Sequence, residues 1–233
     1  KRTEPLVASD DYDTIFGVNG PGNTAFTFLY GKIYFFVNYN TGGSQARLIS
    51  NRVFRDPSAW YNFHITFDRA NSTAAHRVRI YVNGVEETDW STDQRSTIAS
   101  DSSTGWNVSG YTAAINRRSG GVDSRYHNGY LAQFYNIDGA VVAPTEFAET
   151  KDGVWIPKEY SGSYGNNGWL LNFADSNYIG RDKSGSKTLV TSPSFSTFGG
   201  GDTNFSSTEY AKAADSDLST GCDRTGSGGI IEF

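Results

Sequence analysis

Apolar and polar residues alternate along much of this chain, and a period of two is typical of β-strands rather than helices. Residues 61–67 carry Tyr, Phe, Ile and Phe at every second position, which predicts a strand with one face on a core and the other on the outer surface. Residues 78–82 repeat the pattern and lead into Asn83 and Gly84, a pair that favours a type I′ hairpin turn. We therefore expect a return strand from Val85.

Longer apolar runs predict strands that are covered on both faces. Residues 26–39 form such a run, which Gly31 divides into a strand pair, and residues 131–137 and 169–173 are similar. Only residues 145–149, which follow Pro144, favour a helical turn. Many short strands between Gly-containing turns predict an all-β fold, and the expected architecture is an antiparallel two-sheet jelly-roll sandwich.

The composition changes near Gly180, where the chain becomes rich in Gly, Ser, Thr and Asp. We expect an N-terminal extension over residues 1–15 and the sandwich domain over residues 16–180. Residues 181–233 then form an extended Gly/Ser-rich C-terminal arm or the start of a further module. Single aromatic residues along this arm favour ordering against a neighbouring surface in an assembly, and extra edge strands that complete the sandwich are the alternative.

Charge and cysteine content narrow the classes of protein that fit. A formal net charge of -5 disfavours binding to nucleic acid or to an anionic lipid surface. The single cysteine, Cys222, excludes an intrachain disulfide and a CxxC metal or redox site. The longest apolar run, residues 33–37, is too short to cross a bilayer, and the first residues lack the hydrophobic core of a signal peptide. Because the chain contains no Met and begins with Lys1, we expect it to be a piece or processed product of a larger protein.

The sequence contains one near match to a catalytic motif. Glu87, Asp89 and Thr92 approach the Glu-x-Asp-x-x-Glu pattern of retaining glucanases, in which two carboxylates flank the scissile bond. Thr92 stands where the acid/base glutamate is needed, so we expect a non-enzymatic protein and a solvated strand at this position. Each of the three histidines is expected on a surface or a strand face, because none has an acidic partner at a diagnostic spacing. They are His64, His76 and His127.

Two acidic clusters offer the oxygen ligands that calcium prefers. The first consists of Asp215, Asp217, Ser219 and Asp223. The second consists of Asp10, Asp11 and Asp13. The first lacks the bidentate Glu of a calcium loop and the second lacks a turn glycine, so solvated loops and no cofactor are expected, with calcium as the alternative.

Aromatic residues in loops are the main indication of a binding function, because sugar rings stack on Trp and Tyr while Asn binds hydroxyl groups. The candidate carbohydrate-binding residues are Trp106, Tyr111, Tyr160, Tyr164, Asn166 and Asn167. A structured turn that closes the sandwich is the alternative for residues 160–167. Trp155 and Trp169 are expected to pack in the core or at a sheet edge.

Two segments carry a family resemblance. Residues 60–68, WYNFHITFD, and residues 78–84, VRIYVNG, resemble the strand and hairpin of laminin-G-like, concanavalin A-like jelly rolls. Residues 132–185 include PTEFAE, YSGSYGNNGWLLNF and ADSNYIGRDKSG, and they are similar to concanavalin A-like domains of tailed-phage structural proteins.

The resemblance implies a viral structural protein on the surface of a bacteriophage virion, namely a tail fibre or an outer capsid or decoration component. Its implied partners are other virion proteins, copies of itself and host-surface glycans used in attachment. A stand-alone carbohydrate-binding module of an extracellular protein is the alternative. A glycan-cleaving enzyme is disfavoured by Thr92.

Overall fold

The computed structural model of the chain describes residues 1–3, 12–19, 24–38, 45–98, 105, 111–116 and 126–185. Over these residues the protein is all-β, every strand pairing is antiparallel, and the helical segments are 3₁₀ turns of three residues each. The prediction of an antiparallel all-β fold is therefore confirmed. None of these described helical turns has the length and apolar character that a membrane span requires.

The described strands are numbered here in chain order. They are β1 (Tyr12–Asn19), β2 (Thr24–Leu29), β3 (Lys32–Asn38), β4 (Gln45–Val53), β5 (Phe63–Phe67), β6 (Val78–Val82), β7 (Val85–Glu86), β8 (Trp90–Asp93), β9 (Thr112–Ile115), β10 (Phe134–Asn136), β11 (Ala148–Lys151), β12 (Val154–Pro157) and β13 (Trp169–Leu171). The 3₁₀ turns are Ala74–His76, Arg95–Thr97 and Pro144–Glu146. The last of these overlaps the helical turn predicted over residues 145–149, but Ala148 and Glu149 belong to β11.

A six-stranded sheet and a three-stranded sheet supply the main core. The larger sheet has the strand order β8-β4-β3-β2-β1-β9, and the smaller has the order β5-β6-β7. Buried side chains of β2, β3, β4 and β6 form one apolar cluster, and alternate residues of β5 pack against it. Two sheets that share one core in this way are consistent with a β-sandwich.

The predicted hairpins are present. Asn83 and Gly84 have φ values of 50° and 79°, as a type I′ turn requires, and the chain returns as β7. Gly84 has a second constraint, because a Cβ at this position would lie 2.6 Å from the ring of Trp155. The break predicted at Gly31 is the turn between β2 and β3.

The outer face of β5 differs from the prediction, because it is covered and does not form an outer surface. Thr66 is buried, and His64 is half-buried between Tyr81 and Phe147, with ring centroids 5.6 Å and 5.4 Å away. A smaller cluster around Phe147 and Tyr160 covers this side of the sheet. Alternation identified two faces, but a polar face can still be buried by a later part of the chain.

Candidate functional site

A cavity of about 560 Å³ lies beside β5, which is an edge strand of the three-stranded sheet within the described residues. One wall consists of side chains from the larger sheet, including Phe26 and Phe28. The other walls are residues 60–68, which contain β5, and residues 130–142, which contain β10. This volume is in the range of small-molecule sites in proteins.

Two exposed aromatic residues lie where the cavity meets solvent. Trp60 is 55% exposed and Tyr130 is 59% exposed, and both line the cavity. Polar side chains along the walls include Asn62, Asn136 and Asp138. The opening therefore offers aromatic faces for stacking next to groups that bind hydroxyls or amides.

Three charged or titratable side chains form a buried cluster at the same cavity. Arg2, Asp13 and His127 are 7%, 2% and 5% exposed, and Arg2 and His127 line the cavity directly. The imidazole Nδ1 of His127 lies 2.5 Å from Asp13 Oδ1, and Arg2 Nε lies 3.9 Å from Asp13 Oδ2. We call these three residues the polar cluster.

Backbone pairing brings Arg2 and His127 together. Arg2 forms an isolated antiparallel bridge with Gly129, and the Tyr130 N–H donates to the carbonyl of Lys1 at 2.6 Å. A Cβ on Gly129 would overlap the Lys1 carbonyl oxygen and lie 2.6 Å from His127 Nε2. The absence of a side chain at Gly129 is therefore what allows these segments to approach so closely.

The Arg2 guanidinium is held against the main apolar core. Its Nη2 donates a hydrogen bond to the Phe54 carbonyl, and its central carbon lies 5.5 Å from the centre of the Phe28 ring. Burial lowers the pKa of Arg2, while the Asp13 carboxylate acts in the opposite direction. The Arg2 cation is thus poorly solvated, so the presence of the Asp13 carboxylate strongly affects its free energy.

Each member of the polar cluster retains one buried atom without a hydrogen-bond partner among the described residues. These atoms are Arg2 Nη1, Asp13 Oδ2 and His127 Nε2. Buried polar atoms in proteins are nearly always paired, so three in one cluster next to a cavity require an explanation.

The residues proposed from sequence as sugar contacts are not gathered at this cavity. Tyr160 and Tyr164 are 9% and 8% exposed, and the Tyr160 ring stacks on Phe147 at 4.6 Å. Burial raises the pKa of Tyr164 to about 12. These two rings are covered and have no open face for a sugar, which favours the alternative of a structured turn.

The remaining candidates are scattered. Asn166 and Asn167 are exposed, and Asn167 binds the cavity residue Asp138 through its backbone N–H and its side-chain amide, at 3.2 Å and 2.9 Å from Oδ2. Tyr111 is half-buried just before β9 and is not among the residues that line the cavity. Trp106 and the acidic residues of the calcium-like loop, Asp215, Asp217, Ser219 and Asp223, lie outside the described residues.

Three expectations for charged residues are corrected. Asp13 was predicted in a solvated acidic loop, but it lies in β1 and is 2% exposed, paired with His127; Asp10 and Asp11 lie outside the described residues. His127 is buried, not on a surface, because the Asp13 carboxylate binds it from 114 positions earlier in the chain. Glu87 was expected in a solvated strand, but it is buried and lies between β7 and β8. Its side chain accepts a hydrogen bond from the Asp89 N–H at 3.1 Å. In the described part of the chain, no group of three or more His, Cys, Asp or Glu residues is arranged to hold a metal ion.

The tryptophans at positions 155 and 169 pack as expected. Trp155 belongs to the two-stranded β11-β12 sheet, and its indole N–H donates a hydrogen bond to Asn62 Oδ1, 3.1 Å away. The Trp169 ring stacks on the Phe134 ring, with centroids 5.3 Å apart. Trp60 was part of a strand motif in the sequence and had no separate signal as a site residue. Only its exposure beside the cavity distinguishes it.

Comparison with known proteins gives no further identification. No family model matches the chain, and no match is found among curated proteins or solved structures. The class that the coordinates define is an antiparallel all-β protein with a ligand-sized cavity. The opening of that cavity has two exposed aromatic side chains, Trp60 and Tyr130, and Arg2 and His127 of the buried polar cluster are among its lining residues.

Proposed function

We propose that this chain is a non-enzymatic jelly-roll module of a tailed-phage virion surface protein, and that it binds a saccharide at the cavity beside β5. The observation that carries the binding proposal is the pair of exposed aromatic residues, Trp60 and Tyr130, at the cavity opening. Sugar rings have apolar C–H faces that stack on such side chains, and their hydroxyls need the polar groups that line the walls.

The virion part of the proposal is supported by the sequence resemblance over residues 132–185 and by the strand and hairpin over residues 60–84. In this role the chain is a tail-fibre, outer capsid or decoration component, with other virion proteins and copies of itself as partners. In this proposal residues 181–233, of which residues 186–233 lie outside the described part of the chain, form the arm that contacts a neighbour. The bound saccharide belongs to the host surface.

A stand-alone carbohydrate-binding module is the second candidate, favoured by the same cavity. Size-exclusion chromatography with light scattering distinguishes the two: a stable trimer or larger assembly supports the virion component. A monomer that binds saccharide supports the stand-alone module.

Substitution at the opening tests the binding site. Trp60→Ala removes the larger exposed aromatic surface, and we expect binding to bacterial surface polysaccharides on an array to weaken by about tenfold or more. Tyr178→Ala is the matched control, because Tyr178 is also exposed and aromatic but does not line the cavity. Equal binding by the two variants, with unchanged melting temperatures, would rule out this opening as the site.

A further inference from the structure

We propose that the free edge of β5 is a strand-addition site, which pairs with a short, extended, apolar segment of another polypeptide chain. In strand addition the main-chain hydrogen bonds supply affinity and alternate side chains supply specificity. This inference goes beyond the proposed function, because it concerns residues 63–67 and a polypeptide partner. The sugar site rests on Trp60 and Tyr130 at the cavity opening, so each proposal can fail without the other.

The first argument is the position of the cavity at the edge of β5. All residues of β5 line the cavity, whereas no residue of its ladder partner β6 does. The cavity therefore lies beside β5, on the side away from β6. The same holds for β10, because all of its residues line the cavity and no residue of its partner β13 does. Two strand edges thus border one cavity.

The second argument comes from the ladder between β5 and β6. In an antiparallel ladder, residue pairs that exchange hydrogen bonds alternate with pairs that exchange none. The Asn83 N–H donates to the Asn62 carbonyl at 2.9 Å, and the Asp68 N–H donates to the Arg77 carbonyl at 2.8 Å. Both pairs continue the register of the ladder, so its bonded pairs fall at the even-numbered positions of β5.

The odd-numbered residues of β5 therefore direct their N–H and C=O groups away from β6, towards the cavity. They are Phe63, Ile65 and Phe67, and their main-chain groups form no hydrogen bond within the described part of the chain. All three side chains pack against the main core but remain half-buried, which leaves this edge in contact with the cavity. An unpaired strand edge is a template for pairing with another chain.

An extended polypeptide backbone matches the spacing of these main-chain groups. The groups repeat at every second residue, which is about 7 Å along a strand. Their partner must offer acceptors and donors in alternation at the same interval. A second strand does this without strain, so we assign the site to a polypeptide segment about as long as β5.

The side chains on either side of the edge indicate that the added segment is apolar. On one side the cavity is lined by Phe26 and Phe28 of the larger sheet. On the other side it is lined by Val142 and Phe147, which belong to the smaller apolar cluster. A strand that is covered on both faces has a nearly continuous apolar sequence, and a charged side chain there would lose its hydration.

The other sheet edges lack these walls. Within the described residues, β7, β8 and β9 also lie at the edges of their sheets, but none of their residues lines the cavity. Only at β5 and β10 does a strand edge border this apolar space. The site is therefore specific to this place in the fold and is not a general property of its sheet edges.

Amide hydrogen exchange of the full chain, measured residue by residue by NMR, tests the edge itself. In the free protein we expect the amides of Phe63, Ile65 and Phe67 to exchange about tenfold or more faster than those of His64 and Thr66, which are bonded to β6. Equal protection would show that the edge is already paired, within this chain or with a second copy, and would contradict an open site.

A synthetic strand tests the pairing. The probe is the capped peptide Lys-Val-Thr-Val-Thr-Val-Lys at millimolar concentration, and its control carries N-methyl groups on the five central amides. We expect the probe to slow exchange at Phe63, Ile65 and Phe67 by about threefold or more, and the control to leave it unchanged. Equal slowing by both peptides would mean that main-chain bonds are not used. No slowing by either would mean that no strand is added. Either result overturns the proposal.

A pair of variants separates the main-chain donor from the side chain. Ile65→Pro removes an N–H that faces the cavity, and proline is tolerated where an edge N–H has no ladder partner. Ile65→Ala is the matched control, because it also shortens the side chain but keeps the N–H. We expect the probe to protect Phe67 in Ile65→Ala and not in Ile65→Pro. Equal protection in the two variants would contradict the proposed pairing.

Two checks keep these results distinct from other effects. Slow exchange at Thr66 shows that the β5-β6 ladder is intact in each variant. If Ile65→Pro loses that protection, the comparison of the two peptides on the unaltered chain decides the question. None of these outcomes depends on sugar binding, which the Trp60→Ala and Tyr178→Ala comparison tests separately.

Discussion

Two buried regions in contact with each other differ in how completely their atoms are paired. Around Phe54 the apolar rings pack against one another, with the rings of Phe28, Tyr61 and Phe63 all within 5.7 Å of its ring. The polar cluster touches this same core through Arg2, yet three of its polar atoms have no partner among the described residues. The two regions are therefore expected to respond differently to substitution, because the core depends on packing and the polar cluster depends on the compensation of buried charge.

The largest effect is expected from breaking the apolar region. Phe54→Ala removes a nearly fully buried ring, and we expect it to lower the free energy of unfolding by about 3–5 kcal/mol. Denaturant unfolding followed by tryptophan fluorescence measures this loss. Val154→Ala is the control, because Val154 is exposed and should change stability by less than about 0.5 kcal/mol. A loss of less than about 1 kcal/mol in Phe54→Ala would show that this core is not closely packed.

A single substitution in the polar cluster is expected to be nearly as severe. Asp13→Ala leaves the buried Arg2 cation without its carboxylate and should cost about 3 kcal/mol of unfolding free energy. The double variant Arg2→Met, Asp13→Asn should recover most of that loss, because no buried charge remains uncompensated. A double-mutant comparison by urea unfolding measures the recovery. If the double variant were no more stable than Asp13→Ala, the two residues would not act as a pair.

A side chain added at Gly129, where the backbone of Lys1 and Arg2 approaches the segment that contains His127, should have an intermediate effect on stability. The methyl group of Gly129→Ala would overlap the Lys1 carbonyl oxygen and press on His127 Nε2, so we expect a loss of about 2 kcal/mol. Thermal unfolding compares it with Gly180→Ala, where an added Cβ meets no atom within 4 Å. Equal melting temperatures for the two variants would contradict the close approach.

The smallest effect concerns His64, which lies outside both regions, on the face of β5 that packs against Phe147. Burial lowers the pKa of His64, and the hydrogen bond from its Nε2 to the Val142 carbonyl, 2.9 Å away, only partly opposes this. The unfolded chain therefore binds a proton before the folded protein does. Stability from this group is present above about pH 6.5, the ordinary pKa of histidine, and is lost as the pH falls below that value towards the folded pKa.

The matching measurement is the melting temperature as a function of pH for His64→Gln and His76→Gln. Removing His64 should reduce the loss of stability below about pH 6.5, whereas removing the exposed His76 should not. Identical profiles in the two variants would show that burial of His64 has no effect on its proton equilibrium.

Local pattern predicted the strands well, because pleat direction and turn geometry depend on neighbouring residues. The alternation in β5 and β6 identified their core faces, and Asn83 with Gly84 identified the hairpin. Prediction from local pattern fails at the outer face of β5, where His64 has the polar pattern of a surface residue. Whether such a face is open depends on later segments, here those that contain Val142 and Phe147.

The candidate site could not be predicted in the same way. Tyr160 and Tyr164 have the sequence of an exposed aromatic loop, and packing against Phe147 decides that they are buried. Trp60 lies at the edge of a strong strand motif that gives no sign of the cavity beside it. In each case exposure is a property of the assembled chain.

The sequence by itself determined that this is an antiparallel β protein, and it determined where its hairpins turn. Those features are short-range, because each side chain is directed by the dihedral angles of its own segment. The meeting of Arg2, Asp13 and His127 was decided only by the tertiary structure. Chain closure brings together residues more than a hundred positions apart, and neither periodicity nor motif spacing carries information over that distance.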